Sequence, residues 1–284
     1  MKVSNSSAGA KRKYRREGTF GLVAGFGMLL LLLLAGFIFP LISKYDPNQP
    51  GLTPLLAPNM DNYFGTDILG RDIFTRVFDA VFIDLGTSLV GVVIPLTVGT
   101  IIGTLLGISK RKRINSLVGS LIDGINAFPF LIFVIAIISF VGPGIPSILL
   151  AICLMNWARY ARVARTRAVV VNDLAYVEAS RTLGYSKPRI LFKHIIPNVS
   201  SETVAYALSD FIIVIIGVAA LSFLGFGVNP PQAEWGLMIR DGAQVITLAW
   251  WPTVFPGLAL CWTGIAVAFI AEGTNRRLKE SNPK

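Results

Sequence analysis

The stretch YVEASRTLGYSKPRILFKHIIPN, Tyr176–Asn198, places four basic side chains and a histidine in a chain that is otherwise 53% hydrophobic. Capping rules divide it in two. Asn172 or Asp173 can cap a helix over Leu174–Leu183, and Gly184 supplies the residue just past its end. Ser186 can cap a second helix with Pro188 in its first turn, where the missing N–H costs little, and Pro197 marks its end. Short helices hold in water only when an apolar face is buried. Val177, Leu183, Ile190, Leu191, Ile195 and Ile196 supply that face, while Glu178, Arg181, Lys187 and Arg189 stay polar. The pair is either an amphipathic segment lying on lipid or a docking element presented to a soluble partner.

The surrounding chain belongs in a membrane. Gly18–Ser43, Leu85–Ser109, Phe211–Ala233 and Gly242–Ala271 carry no charge over 26, 25, 23 and 30 residues, and each is long enough to cross a bilayer. Ile114–Ala158 holds one charge, Asp123, and breaks at GPGIP (Gly142–Pro146), a turn sequence. It reads as two spans, the second continuing as a helix past Arg159, which snorkels to the interface. Bilayer-embedded backbone must satisfy its own hydrogen bonds, so the fold class is an all-α integral membrane protein with six transmembrane helices. The apolar run after the basic KRKYRR stretch (Lys11–Arg16) is too long for a cleaved signal peptide and reads as a retained anchor.

Orientation follows from the lysines and arginines. With both termini cytoplasmic, the inside segments hold 22 of the 26 basic residues and the outside keeps Lys44, Arg71, Arg76 and Arg240. The organisation is a basic tail (1–17), an anchor helix (18–43), an extracytoplasmic segment (44–84), a transmembrane domain (85–272) with a cytoplasmic loop at 159–202 between helices 4 and 5, and a second tail (273–284). Basic groups that flank spans meet anionic lipid, so the net charge of +10 needs no nucleic acid. Cys153 and Cys261 both lie in apolar spans, His194 is the only histidine, and no phosphate-cradling glycine loop is present. No catalytic constellation, metal site or cofactor site is expected in this chain.

Inside the spans, Gly99, Gly103 and Gly107 recur every four residues and form a groove for a neighbouring helix. Pro95, Pro129, Pro252 and Pro256 bend their helices. Asp123 and Asp210 are intramembrane acids and so functional candidates. Asn126 shares a helix face with Asp123, and the two either line a polar cavity or bond a neighbouring helix. Asp67 can pair with Arg71 one helical turn later, and Trp235, Trp250 and Trp251 suit an interfacial aromatic belt. The segment LGFGVNPPQAEWG (Leu224–Gly236) is a connecting loop, a gate or a partner contact.

EASRTLG followed nine residues later by HIIPN resembles the cytoplasmic EAA motif of ABC importer permeases, with Ser180 at its third position, His194 where the pattern has Ile and Ile196 where it has Leu. The ending resembles that of dipeptide and oligopeptide permeases. FGTDILGRDIFTRV (Phe64–Val77), AFPFL (Ala127–Leu131), LSFLGFGVNPPQAEWG (Leu221–Gly236) and FPGLAL (Phe255–Leu260) resemble segments of the C-type subunit of those systems. One departure is FIDLGTSL, where the family usually has GARxSL, so that Asp84 lies close to the place of a customary arginine.

The resemblance implies a subunit without covalent chemistry. A second homologous permease subunit, in a heterodimer, would complete the pathway in a bacterial inner membrane. Two ATPase subunits would hold ATP and magnesium, and an extracytoplasmic binding protein would deliver di- or oligopeptides. It implies ATPase coupling through Glu178, Ala179, Ser180, Arg181, Gly184, Tyr185 and Pro197. Asp123, Asn126, Asp210, Phe223, Phe226 and Trp235 are expected at the pathway or a gate. Nickel chelates, glutathione and oligosaccharides are alternative cargoes of the same architecture. A proton-coupled carrier using Asp123 and Asp210 is a different class of reading.

Overall fold

The computed structural model describes residues 4–51 and 53–281, with side chains described between 17 and 277. The side chains of Lys11–Arg16, and the residues beyond 281, lie outside the described residues. Among the described residues the chain is helical, with one isolated bridge between Thr66 and Asp72. The helices are α1 (Ser4–Ile42), α2 (Ile73–Ile108), α3 (Lys112–Ala127), α4 (Phe130–Val141), α5 (Ile145–Asn172), α6 (Ala175–Thr182), α7 (Lys187–Ile190), α8 (Ile196–Phe223), α9 (Trp235–Ala243) and α10 (Trp251–Ser281). A π-helical turn, Leu191–Ile195, joins α7 to α8. Four stretches are long and apolar enough to cross a membrane: Glu17–Ile42, Ile73–Ile108, Lys187–Phe223 and Trp251–Arg277. The α3–α4 pair adds a fifth if it counts as one span.

That pair bends by 93°, and proline explains the break. Phe128 precedes Pro129 and is pushed out of the helical region to φ −77°, ψ 133°. Pro129 then takes the N-cap position of α4. The GPGIP turn lies where expected, with Gly142 and Gly144 both at positive φ, and α5 runs on past Arg159 to Asn172.

The chain divides into two compact units, residues 1–88 with 211–284 and residues 89–210. In the first, α1 and α10 pack antiparallel through small residues: a Cβ on Gly273 would meet the Gly18 carbonyl at 2.7 Å. The core gathers Ile73, Val77, Val81, Ile215, Trp235 and Trp251, and Phe64 stacks on Phe255 at 3.9 Å. The segment between α1 and α2 is built of turns. Asp72 caps α2, accepting from the Thr75 N–H and hydroxyl, both at 2.8 Å. Asp67 and Arg71 do pair, at 2.7 Å and almost fully buried, but on a turn rather than a helix. The Asp67 carboxylate folds back on its own loop to accept the Leu69 and Arg71 backbone N–H groups.

In the second unit the glycine groove is filled by α5. A Cβ on Gly99 would meet Trp157 and Tyr160, one on Gly103 would meet the Ala161 backbone, and one on Gly107 would meet Ala168 and Arg165. The spacing thus permits backbone-to-backbone approach.

Three expected boundaries move. The stretch read as the start of the sixth span is α9 and a run of turns, and α10 begins only at Trp251. The fifth span ends at Phe223, before the glycine–proline loop. Pro197 does not end a helix. It sits at the second residue of α8, just after a turn in which the Ile196 N–H reaches back five residues to the Leu191 carbonyl. That wider turn accommodates a residue with no N–H and a bulky ring.

Candidate functional site

Between α5 and the helix that ends at Phe223, the chain makes a helix–turn–helix. α6 begins after Leu174, an extended residue with no capping side chain. The expected caps, Asn172 and Asp173, instead close α5. Its C-terminus is the expected one. Gly184 lies at φ 78°, in the left-handed region that glycine adopts without strain. The Tyr185 N–H bonds the Ser180 carbonyl at 3.1 Å and the Gly184 N–H bonds that of Arg181 at 2.9 Å. These two bonds form a Schellman motif, which satisfies the last carbonyls of the helix. The same device ends α8: the Phe226 N–H bonds Leu221 at 3.0 Å and Gly225 N–H bonds Ser222 at 2.9 Å, with Gly225 at φ 93°. Leu-Gly-aromatic marks both places, TLGY and FLGF.

α6 has one buried side. Val177 and Ser180 face inward, and Val177 packs with Ile190, Ile195 and Val199 and with Ala164, Ala168 and Val171 of α5. Ser180 donates to the Tyr176 carbonyl at 2.8 Å. Leu183, expected on this apolar face, is 72% exposed, because the Schellman turn carries it past the end of the buried stripe. Glu178, Ala179, Arg181 and Gly184 are all exposed. Arg181 donates from Nη1 to Glu178 and from Nη2 to Asn172, each at 2.6 Å. In solvent such an ion pair contributes at most about 1 kcal/mol, so it orients the side chains more than it stabilises them. Asn172 is a member the cap reading misplaced.

Tyr185 is half-buried, with the Arg189 guanidinium 4.1 Å above its ring and the His194 ring centroid 6.3 Å away on a nearly parallel plane. Arg167 of α5 lies 3.0 Å from Glu202 of α8 and braces the base of the loop. Pro197 is exposed at the loop's far end.

The other candidates do not form one site. In the second unit Asp123 is exposed and accepts from Arg162 Nη2 at 2.8 Å, while Asn126 donates to its own helix at Ile122. Asp210 is buried and accepts from the Tyr160 hydroxyl at 2.8 Å. In the first unit Phe223 is exposed and Phe226 half-buried at the α8 terminus. Trp235 is fully buried, its indole N–H donating to the Val77 carbonyl at 2.9 Å. Its ring has no open face, so it is a core residue here and not part of an exposed aromatic belt. Trp251 is buried likewise, bonded to the Thr66 carbonyl, and Trp250 alone of the three is half exposed.

The family described as binding-protein-dependent transport system inner membrane component matches residues 99–280. The chain belongs to that family. The permease is 32% identical over 266 residues to the probable D,D-dipeptide transport system permease protein of Escherichia coli, covering 93% of this chain and 89% of that one. It is 33% identical to the di/tripeptide transport system permease protein of Pseudomonas aeruginosa, over 89% and 86% of the two chains. A dipeptide transport system permease protein of Bacillus subtilis is 32% identical, over 88% and 79%. Among solved structures, the inward-facing MetNI methionine ABC transporter aligns with a TM-score of 0.58 at 16% identity, over 73% of the permease and 96% of that chain. An amino acid ABC transporter with histidines aligns at 0.50 and 20% identity, over 69% and 92%. At those identities the likeness is one of fold. The permease is a multi-pass, all-helical membrane component of a binding-protein-dependent transport system.

Proposed function

We propose that the permease is one transmembrane half of an ATP-driven peptide importer and that α6 is its coupling helix. The spans are α1, α2, the bent α3–α4 pair, α5, the continuous stretch 187–223 and α10, with both termini cytoplasmic in a bacterial inner membrane. The observation that carries the coupling reading is the sidedness of α6. Its inner side is bolted to α5 and to the start of α8, while Glu178, Ala179, Arg181 and Leu183 are exposed at the surface. A short helix rooted in two long ones moves with them as a body. Closure of a soluble ATPase around α6 then biases inward-open against outward-open states by its differential affinity for the two.

Nucleotide and magnesium belong to two partner ATPase subunits, and this chain binds neither. A second, homologous permease completes the pathway as a heterodimer, and an extracytoplasmic binding protein supplies the cargo. The names of the relatives support di- or oligopeptides, with nickel chelates, glutathione and oligosaccharides as alternatives on the same architecture. The gate is proposed at Phe223 and Phe226, where α8 ends.

The test is reconstitution with the partner permease, ATPases and binding protein in vesicles. Glu178→Ala should leave the permease folded and inserted while removing substrate-stimulated ATP hydrolysis and uptake. Uptake that persists with no ATPase present refutes the coupling reading and favours the proton-coupled alternative.

A further inference from the structure

Asp84 on α2 and Glu234, the residue before α9, meet inside the first unit. Each is 1% exposed, and the two carboxyls lie within hydrogen-bonding reach of each other, Asp84 accepting from the N–H of Trp235, the residue after Glu234. Two ionised carboxylates cannot hold that contact, because like charges away from water repel strongly. Something must supply a positive charge.

Of the four carboxyl oxygens, one lacks a donor. Glu234 is engaged as an acceptor at both oxygens: Oε1 takes the Gly236 N–H at 3.0 Å and Oε2 the Leu237 N–H at 2.7 Å, while the Ser222 hydroxyl also bonds it. Asp84 Oδ2 takes the Trp235 N–H at 3.1 Å. Asp84 Oδ1 is buried without a partner. A hydrogen on that atom completes the set.

No cationic side chain does the job. On α2, Arg76 donates to the carbonyls of Pro47 and Pro231 and lies 3.7 Å from Asp67, and the remaining charged neighbour, Asp79, is acidic. On α9, Arg240 lies 3.9 Å from Asp241. The stretches of α1, α8 and α10 in this unit carry no charge over residues 18–42, 211–223 and 251–271.

We propose that Asp84 and Glu234 hold one proton between them, carried on Asp84 Oδ1, and that this proton fastens α9 to α2. With it in place, α9 is held to α2 by the carboxyl pair, by the Trp235 N–H on Asp84 and by the Trp235 indole on Val77. Without it, the first of these ties becomes a repulsion between two buried charges, and the Glu234 cap of α9 is strained with it.

The sign of the pH effect follows. A proton that completes a buried hydrogen-bond set in the fold, and has no such place in the unfolded chain, is held to higher pH in the fold. The folded protein therefore binds more protons than the unfolded chain once pH exceeds the ordinary carboxylate range. Stability is greatest below that range and falls as pH rises through the folded pair's own value.

Infrared spectra of the purified transporter complex test this. The carbonyl stretch of a protonated carboxylic acid should be present, should titrate away as the pH is raised, and should be lost in Asp84→Asn. That variant's amide donates to Glu234 with no titrating proton, so its melting temperature should stay near the wild type at neutral pH and lose the alkaline fall. Glu234→Gln, whose amide must face the Gly236 or Leu237 N–H that Glu234 accepts, should melt below Asp84→Asn. Asp84→Ala should also melt below Asp84→Asn. A band unchanged in Asp84→Asn, or the same pH profile of melting in that variant as in the wild type, overturns the proposal.

Discussion

Replacing Gly103 by alanine places one carbon against the backbone of α5. Its Cβ would lie 2.8 Å from both the carbonyl carbon and the Cα of Ala161, where an unstrained carbon–carbon contact is about 3.5–4.0 Å. Backbone cannot rotate aside as a side chain can, so the two helices must part locally. Overpacking of this kind costs typically about 1–3 kcal/mol. Alanine's better helix propensity returns about 0.8–1 kcal/mol, which leaves a net loss of up to roughly 2 kcal/mol by the same overpacking estimate. Gly86 provides the control, because it lies on the same helix and a Cβ there meets nothing within 4 Å. Its alanine variant should be stabilised by the propensity term alone. Since that term is common to both variants, their separation isolates the steric cost. Thermal melting in detergent, followed by circular dichroism, measures it. If Gly103→Ala and Gly86→Ala shift the melting temperature by the same amount, the close approach of α2 and α5 is refuted.

Two further substitutions probe the charged groups. Asp67→Ala leaves the buried Arg71 guanidinium and two backbone N–H groups unpaired, and breaking such a pair costs about 3–5 kcal/mol; it should abolish folded yield in a size-exclusion assay. Asp123→Asn removes only an exposed pair with Arg162, whose carboxylate side is 74% accessible, and such pairs contribute about 0–1 kcal/mol. Uptake and melting should be almost unchanged, and a loss of uptake with intact melting would revive the relay role for that acid.

The end of α6 was legible because its signal is local. Gly184 is placed by the left-handed turn it must make, and the two bonds from the Gly184 and Tyr185 N–H groups to the carbonyls of Arg181 and Ser180 follow from it. The glycine ladder was legible for a related reason, as four-residue spacing defines a helix face whatever packs on it. The bend at Phe128 was readable in kind, from proline chemistry, but its 93° size was not. Tertiary contacts decided the failures. Tryptophan suits an interface when its indole N–H needs water, yet Trp235 finds Val77 and Trp251 finds Thr66, so both sink into the core. Asp67 and Arg71 have helical spacing, but a carboxylate that bonds its own following N–H groups competes with helix formation. The inward-facing role of Asp84 was hidden because its partner, Glu234, is 150 positions further along the sequence.

The π turn at Leu191–Ile195 has a consequence in genetic terms. A turn of that kind is an α-helix holding one residue more than its winding can take. Losing a residue elsewhere in the stretch 187–223 would rotate everything beyond it by about 100°. Val199 and Thr203, both fully buried, would swing off their face. Losing one from within the turn lets the chain relax to ordinary α winding, with Ile190 below and Val199 above keeping their directions. Along this helix, a codon within Leu191–Ile195 is one whose deletion the reading frame of the fold can absorb.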